Sequence, residues 1–358
     1  MARSTGRPTP LRTGPRLVPN PLTRPTIEQV ATQAGVSVAT VSRALRGLAN
    51  VAPTTRARVA NVAREIGYRP DPAAARLASG RSRTIGVVVP ILNSWYFANV
   101  VAGIEAVCAA DGYDLLVVCQ PSADSVAGPG SPAHSLERRV DGLIYVDVRL
   151  RTEDVALLAV AGIDVVTIGQ RVGPFSSVWI DDERIGSLAT EHLLSLGHRR
   201  IGVIGVDDGF PGVFDVPSRR LTGIREALAA HRVVVEPLLM ETGEFTVDGG
   251  AEAARRLLGL PQPPSALIAL SDEMAFGAIG AIRDAGGAVP DDVSVIGVDD
   301  HDASVAFGLT TIRQDVTDHG ALAARALLSH LGDGGHDTVR LPGRFQLVVR
   351  STTARAHP

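Results

Sequence analysis

Seven short apolar runs, at 85–89, 115–118, 142–146, 165–168, 201–204, 266–270 and 293–298, recur along the chain. Helical stretches at 97–110, 185–196, 220–230 and 275–285 separate most of them. Apart from Thr167 and Ser294 the runs are apolar, as strands buried on both faces require. Strand and helix in alternation imply parallel sheets with helices on either side. The stretch from residue 83 onward holds more strands than one sheet comfortably accommodates. We therefore expect two doubly wound lobes.

Charge divides the chain differently. Residues 1–84 carry 14 Arg and only three acids, Glu28, Glu65 and Asp71, although the whole chain has a net charge of −3. A basic head on an acidic body points to a polyanion partner for the head. All 35 basic residues are Arg, which excludes a P-loop lysine and a lysine Schiff base. Cys108 and Cys119 are the two cysteines, and they form no C-x-x-C pair. Both read as apolar fillers in a reducing compartment. No apolar run reaches the ~18 residues of a membrane span. Residues 1–25 are rich in Arg and Pro and lack an apolar h-region, so we expect a disordered basic tail rather than a secretory signal.

Residues 26–70 read as three short helices. Thr26 and Gln29 have capping-box spacing, and Ile27, Val30, Ala31 and Ala34 share one face. Gly35 turns the chain, Ser37 caps a second helix from Val38 to about Leu45, and Pro53 opens a third that ends at Gly67. The first two helices and their turn make a helix-turn-helix, whose second helix enters the major groove. Val30, Ala34, Val36 and Val41 would pack it, leaving Val38, Ala39, Ser42, Arg43 and Arg46 facing outward.

This segment closely resembles the LacI/GalR (lactose-repressor/galactose-repressor) family of bacterial regulators. The matching pieces are Val30-Ala31, Ala34 to Ser37, Thr40 to Arg43, Thr55-Arg56 and Gly67 to Pro70. The likeness continues through Arg220 to Gly223, Ser271 to Met274, Val289 to Asp300 and Arg350 to Thr352. It implies a helical headpiece at 26–70, a hinge helix or linker at 71–82, and a periplasmic-binding-protein-like α/β effector and dimerisation domain at 83–358. The first lobe would take about 83–181 and 317–344, the second about 182–316 and 345–358. Three departures stand out: Ala52 replaces a capping Ser, a Gly/Pro/Ser loop at 121–133 replaces a helix, and Ser271 replaces an Asn.

The resemblance also assigns sites. Ser37, Val38, Ala39, Thr40, Ser42, Arg43, Arg46, Asn50, Thr55, Arg56 and Tyr68 would face DNA. Arg76 and Leu77 would sit on the hinge helix, with Leu77 as a wedge that kinks the minor groove. Effector contacts are expected at strand ends, where open α/β sheets present ligands. Tyr96, Phe97 and Phe245 could stack on a sugar ring, and Arg220 could donate a fork of hydrogen bonds. Arg171, Ser271, Asp272 and Asp299 complete the set.

No G-x-G-x-x-G follows the first strand, and neither G-x-S-x-G nor H-E-x-x-H occurs. His192 and His198 are six apart and share no helix face; His198 reads as a helix-end cation. The expectation is a cytoplasmic homodimeric repressor, not an enzyme, with no cofactor or metal. It would bind a pseudo-palindromic operator and be controlled by a small sugar or related metabolite. No heptad repeat follows Arg350, so a tetramerisation helix is not expected. Corepression or activation stays open as the sign of the response. A sugar-binding protein without DNA activity is one rival, and the basic segment 26–83 speaks against it; an enzyme of the doubly wound class is the other, disfavoured by the missing nucleophile and cofactor signatures.

Overall fold

The computed structural model describes residues 25–48, 50–69, 81–120, 136, 139–150, 152–206, 215–234, 236–333 and 338–357. The chain divides into two compact units, Met1–Gly80 and Arg81–Pro358. The basic tail, the hinge segment 71–80 with Arg76 and Leu77, and the 121–133 loop lie outside the described residues.

In the first unit, α1 (Ile27–Ala34), α2 (Val38–Leu45) and α3 (Pro53–Glu65) enclose a small core. Val30, Ala34, Val41, Val51, Val59 and Ala63 are buried in it. Gly35 takes φ 63°, the left-handed turn that lets α1 lead directly into α2. Thr26 donates its backbone N–H to the Gln29 side chain at 3.0 Å, and Ser37 accepts the Thr40 amide at 3.2 Å. Ala52 caps nothing, and Pro53 at the first position of α3 is the compensating start signal.

The second unit holds two six-stranded sheets. The first contains β1 (Thr84–Val89), β2 (Asp114–Cys119), β3 (Gly142–Val146), β4 (Asp164–Ile168), β5 (Ser176–Trp179) and β11 (Arg340–Pro342), in the order β11-β5-β4-β3-β1-β2. The other contains β6 (Ile201–Gly205), β7 (Met240–Thr242), β8 (Ala266–Ala269), β9 (Ser294–Asp299) and β10 (Thr310–Gln314), in the order β12-β10-β9-β8-β6-β7. β11 (Arg340–Pro342) closes the edge of the first sheet in parallel, and β12 (Phe345–Val348) closes the second antiparallel to β10. The chain thus passes between sheets three times, at 179–182, 314–316 and 342–345.

Helices α4 (Trp95–Ala110) and α11 (Val316–Asp333) pack together on the first lobe, with α5 (Thr152–Ala161) following β3. On the second lobe α6 (Asp182–Ser195) pairs with α7 (Val216–Ala230), and α8 (Val247–Leu258) with α9 (Asp272–Asp284); α10 (Ser304–Phe307) is a single turn. α6 and α7 approach closely because Gly186 and Gly223 face each other's backbone. A Cβ on Gly186 would lie 2.0 Å from the Arg220 carbonyl oxygen. That approach delivers the Arg220 side chain to the start of α6.

The sequence-predicted helices begin two to four residues late; Ser94, Asp181 and Ser271 hold the cap positions of α4, α6 and α9. His198 is not a helix-end cation. It is buried, and its ring nitrogens meet the Ser265 hydroxyl (2.9 Å), the Ser294 hydroxyl (3.1 Å) and the Ala354 carbonyl (3.1 Å). Burial lowers its pKa, so the neutral ring ties the C-terminal segment to the second sheet. Cys108 is buried as expected, whereas Cys119 is exposed on edge strand β2.

Candidate ligand cleft and DNA-reading face

The C-terminal strand edges of the two lobes face one cleft enclosing about 510 Å³, mouth included. From the first lobe come Ser94, Tyr96 and Phe97, after β1, and Asp147, after β3. The second lobe contributes Asp182, Arg220, Phe245, Ser271, Glu273 and Asp299. Ile91, Ile180 and Val216 complete the apolar walls.

Arg220 is buried and already engaged. Its Nε donates to Asp182 Oδ1 at 3.0 Å, and a terminal nitrogen donates to the Leu270 carbonyl at 2.6 Å. Burial disfavours its charge, but the Asp182 and Asp299 carboxylates more than offset this and raise its pKa. Asp299 accepts the Gln314 side-chain amide at 2.8 Å. Burial pushes its carboxyl well above the usual range, while Arg220 pulls it down. Ser271 caps α9, accepting the Met274 amide at 3.3 Å.

Asp147 is 5% exposed. Burial, then the neighbouring Asp182 charge, pushes its pKa up to about 7, although the Tyr96 hydroxyl bonds to it. Burial and the Asp147 charge in turn raise the Tyr96 pKa well above its ordinary value, so the phenol keeps its proton and donates. Three of the lining residues hold positive φ: Asp147 at 49°, Phe245 at 54° and Asp299 at 122°. Such conformations cost free energy in non-glycine residues and are held only where surrounding packing over-determines them.

Across the mouth the lobes are bonded to each other. Trp95 donates its ring Nε1 to Asp302 (3.2 Å) and its backbone amide to Glu273 (3.4 Å), and its ring lies 5.0 Å from that of His301. On the far side Arg219 donates to the carbonyls of Gly169 (3.2 Å) and Ile180 (2.7 Å).

Six of the sequence-predicted contacts, Tyr96, Phe97, Arg220, Phe245, Ser271 and Asp299, line this cleft. Asp272 and Arg171 do not. Asp272 is fully buried within the second lobe, where its carboxylate accepts from the His301 amide, the Ser304 hydroxyl and the Thr311 hydroxyl. All that capacity goes to joining α9, α10 and β10. Arg171 is exposed and lies with its guanidinium 3.5 Å over the Trp179 ring. Sequence reading missed Asp147, Asp182 and Glu273. For Asp147 the signal was present: an acid closing a buried apolar strand, the pattern that singled out Asp299.

In the first unit, the outward face of α2 presents Val38 (41% exposed), Ala39 and Arg43, with Arg46 just after it. Arg46 folds its Nε back to the Ser42 carbonyl at 3.3 Å. Ser42 and Thr40 are half-buried, and Thr40 shares a hydrogen bond with Ser37 at 2.9 Å. Asn50 is exposed and Thr55 half-buried. Arg56 is half-buried and donates to the Leu48 carbonyl at 2.6 Å, so its first task is to hold the turn after α2. Tyr68 packs against the helical core.

Residues 26–71 match the model for bacterial regulatory proteins of the lacI family, and residues 190–353 match the periplasmic binding protein-like domain. The repressor CytR of Escherichia coli K12 is 33% identical over 357 residues, covering 94% of this chain and 98% of CytR. The chain belongs to the LacI family. This LacI-family regulator also shares its fold with solved relatives. A CelR–cellobiose complex aligns over 92% of this chain and all of that one, with 31% identity and a TM-score of 0.66. The lac repressor dimer bound to operator and the anti-inducer ONPF covers 93% of this chain and all of its own, with 28% identity and a TM-score of 0.80. The family's members are transcriptional regulators, and this one carries their DNA-binding domain. Among the described residues no helix is long and apolar enough to cross a membrane.

Proposed function

We propose that this regulator is a cytoplasmic homodimeric repressor whose operator affinity is set by a small sugar or related polar metabolite held between its lobes. The observation that carries this is the convergence of Asp147 from one lobe with Arg220, Ser271 and Asp299 from the other on a single cleft. Such groups are costly to bury without partners, and a polyhydroxyl ligand supplies donors and acceptors together. The cellobiose in the CelR complex supports the sugar class. Tyr96, Phe97 and Phe245 give a ring an apolar surface to lie against.

Two headpieces would read the half-sites of a pseudo-palindromic operator. Val38 and Ala39 would meet thymine methyl groups, and Arg43 would pair with a guanine. Ser37, Thr40, Ser42, Arg46, Asn50 and Thr55 would supply further backbone or base contacts, with Arg76 and Leu77 on the hinge. Ligand binding favours one lobe arrangement and so shifts the DNA-competent population.

The test is a fluorescence-anisotropy titration of labelled operator with and without a panel of sugars. Coupling of ~1–3 kcal/mol shifts operator affinity roughly 5–150-fold, and the direction of the shift gives the sign of control. A protein indifferent to the whole panel would remove the sugar reading. In parallel, Arg43→Ala should relax one position per half-site, losing ~1–3 kcal/mol of discrimination. A binding-site selection that returns the wild-type sequence preference would reassign Arg43.

A further inference from the structure

The cleft is rich in acceptors and poor in donors. Among the described residues four carboxylates line it, from Asp147, Asp182, Glu273 and Asp299, against one guanidinium, that of Arg220. Arg220 has already given Nε to Asp182 and a terminal nitrogen to the Leu270 carbonyl. Arg219 stands 3.7 Å from Asp182 Oδ2, but it donates to the backbone carbonyls of Gly169 and Ile180. Glu273 takes the Trp95 amide, and Asp299 takes the Gln314 amide.

Two carboxylate oxygens are left without a hydrogen-bond partner, Asp147 Oδ1 and Asp182 Oδ2. Both side chains are more than nine-tenths buried and both residues line the cleft. Asp182 has Arg220 as its counter-ion. Among the described residues Asp147 has no cation in hydrogen-bond contact; it faces the Tyr96 hydroxyl, with the charges of Asp182, Arg220 and Arg219 around it. A buried carboxylate in that position either takes up a proton or meets a positive charge. Burial pushes the Asp147 pKa up to about 7, so a neutral polyol can meet its protonated form, whereas a ligand with an ammonium group supplies donors and also holds the ionised form. Tyr96 and Phe97 line the same wall, their rings edge to face with each other.

Resting on the reading of the cleft as an effector site, we propose that the effector is a polyhydroxyl compound carrying a protonated amine, an amino sugar in its simplest form, with the ammonium seated on Asp147. The Arg220–Asp182 pair and Asp299 then hold its hydroxyls. Gly169 makes the seat possible. A Cβ at residue 169 would fall 1.6 Å from Asp147 Oδ1, so any side chain there would displace the carboxylate.

The experiment is calorimetry on the full chain at neutral pH with matched probes. D-glucosamine is compared with D-glucose and N-acetylglucosamine, and D-galactosamine with D-galactose and N-acetylgalactosamine. The acetylated sugars keep the nitrogen and lose the charge. One of the two amines should bind at least about tenfold more tightly than both of its neutral counterparts, the scale of one charge-assisted hydrogen bond. Asp147→Asn, checked for folding by its melting curve, should bring the three members of that series within about threefold. Neutral sugars that bind as well as the amines overturn the amine assignment and leave the sugar-effector reading standing. An amine preference unchanged in Asp147→Asn overturns the seat. Silence from every probe in both calorimetry and operator release overturns this inference and the sugar reading together.

Discussion

In each lobe the first strand lies between the second and third, and the cleft residues leave the same C-terminal edge. The polar chemistry at that edge differs between them. The second lobe arrives with most of its groups already engaged: Arg220 on Asp182, Asp299 on Gln314, Ser271 on the first turn of α9, with Asp182 Oδ2 left unbonded beside its counter-ion. The first lobe brings aromatic surface and one carboxylate, Asp147, with an oxygen left unpartnered. Preorganised polar groups lower the ordering cost of binding, so the second lobe is suited to receive the ligand. In the proposed complex the first lobe would cover it and supply the discriminating charge. The same sheet order can therefore carry a rigid receptor half and an unsatisfied closing half.

Arg220→Ala attacks the fixed half and has the largest expected effect. It leaves buried Asp182 with Arg219, 3.7 Å from Oδ2, as its remaining cation and takes the Arg220 donor from the Leu270 carbonyl, a loss of up to about 3–5 kcal/mol. The melting temperature should drop and the effector response should vanish. Restoring a neutral residue at the partner position, as Arg220→Ala with Asp182→Asn, should recover part of the stability. If the double variant melts no higher than the single one, the pair is not what organises the second lobe.

Gly169→Ala tests the closing half without touching a charged residue. At φ 87° an alanine costs ~1–2 kcal/mol, and its Cβ collides with Asp147. Ligand affinity should fall more than stability does. A variant that binds effector like the wild type would show that Asp147 is not held where discrimination occurs.

The smallest expected effect belongs to the contact between the halves. Trp95→Phe keeps the ring beside His301 but removes the Nε1–Asp302 hydrogen bond, worth about 0.5–1.5 kcal/mol. Effector affinity should weaken by roughly 2- to 12-fold, the affinity equivalent of that range, with the melting temperature almost unchanged. Since Trp179 is the only other tryptophan, ligand-induced emission change should also largely disappear. A persistent full signal would place closure elsewhere.

The periodicity of the sequence was enough for the architecture. Apolar runs separated by helical stretches became two parallel sheets, and the turn at Gly35 with the cap at Ser37 became the α1–α2 pair. Each of those signals is local, spanning a few residues and one face. Strands β5, β7, β10, β11 and β12 were less legible, because short edge or polar strands lack a long apolar run. The late helix starts had a consequence for the site. With α9 taken to begin at 275, Asp272 read as a strand-end loop residue open to ligand; as the first residue of the helix it points into the lobe. With α6 taken to begin at 185, Asp182 went unnoticed.

Residue types and their order determined by themselves that this chain carries a basic helix-turn-helix and a two-lobed α/β body, since propensity, capping and periodicity act between near neighbours. Only the tertiary structure decided which acids face the cleft and which are used up inside a lobe. Asp272 meets Thr311 across 39 residues of chain, Arg220 meets Asp182 across 38, and Trp95 meets Asp302 across 207. Whether a carboxylate is satisfied depends on donors brought from such distances, and no local pattern records which donors arrive.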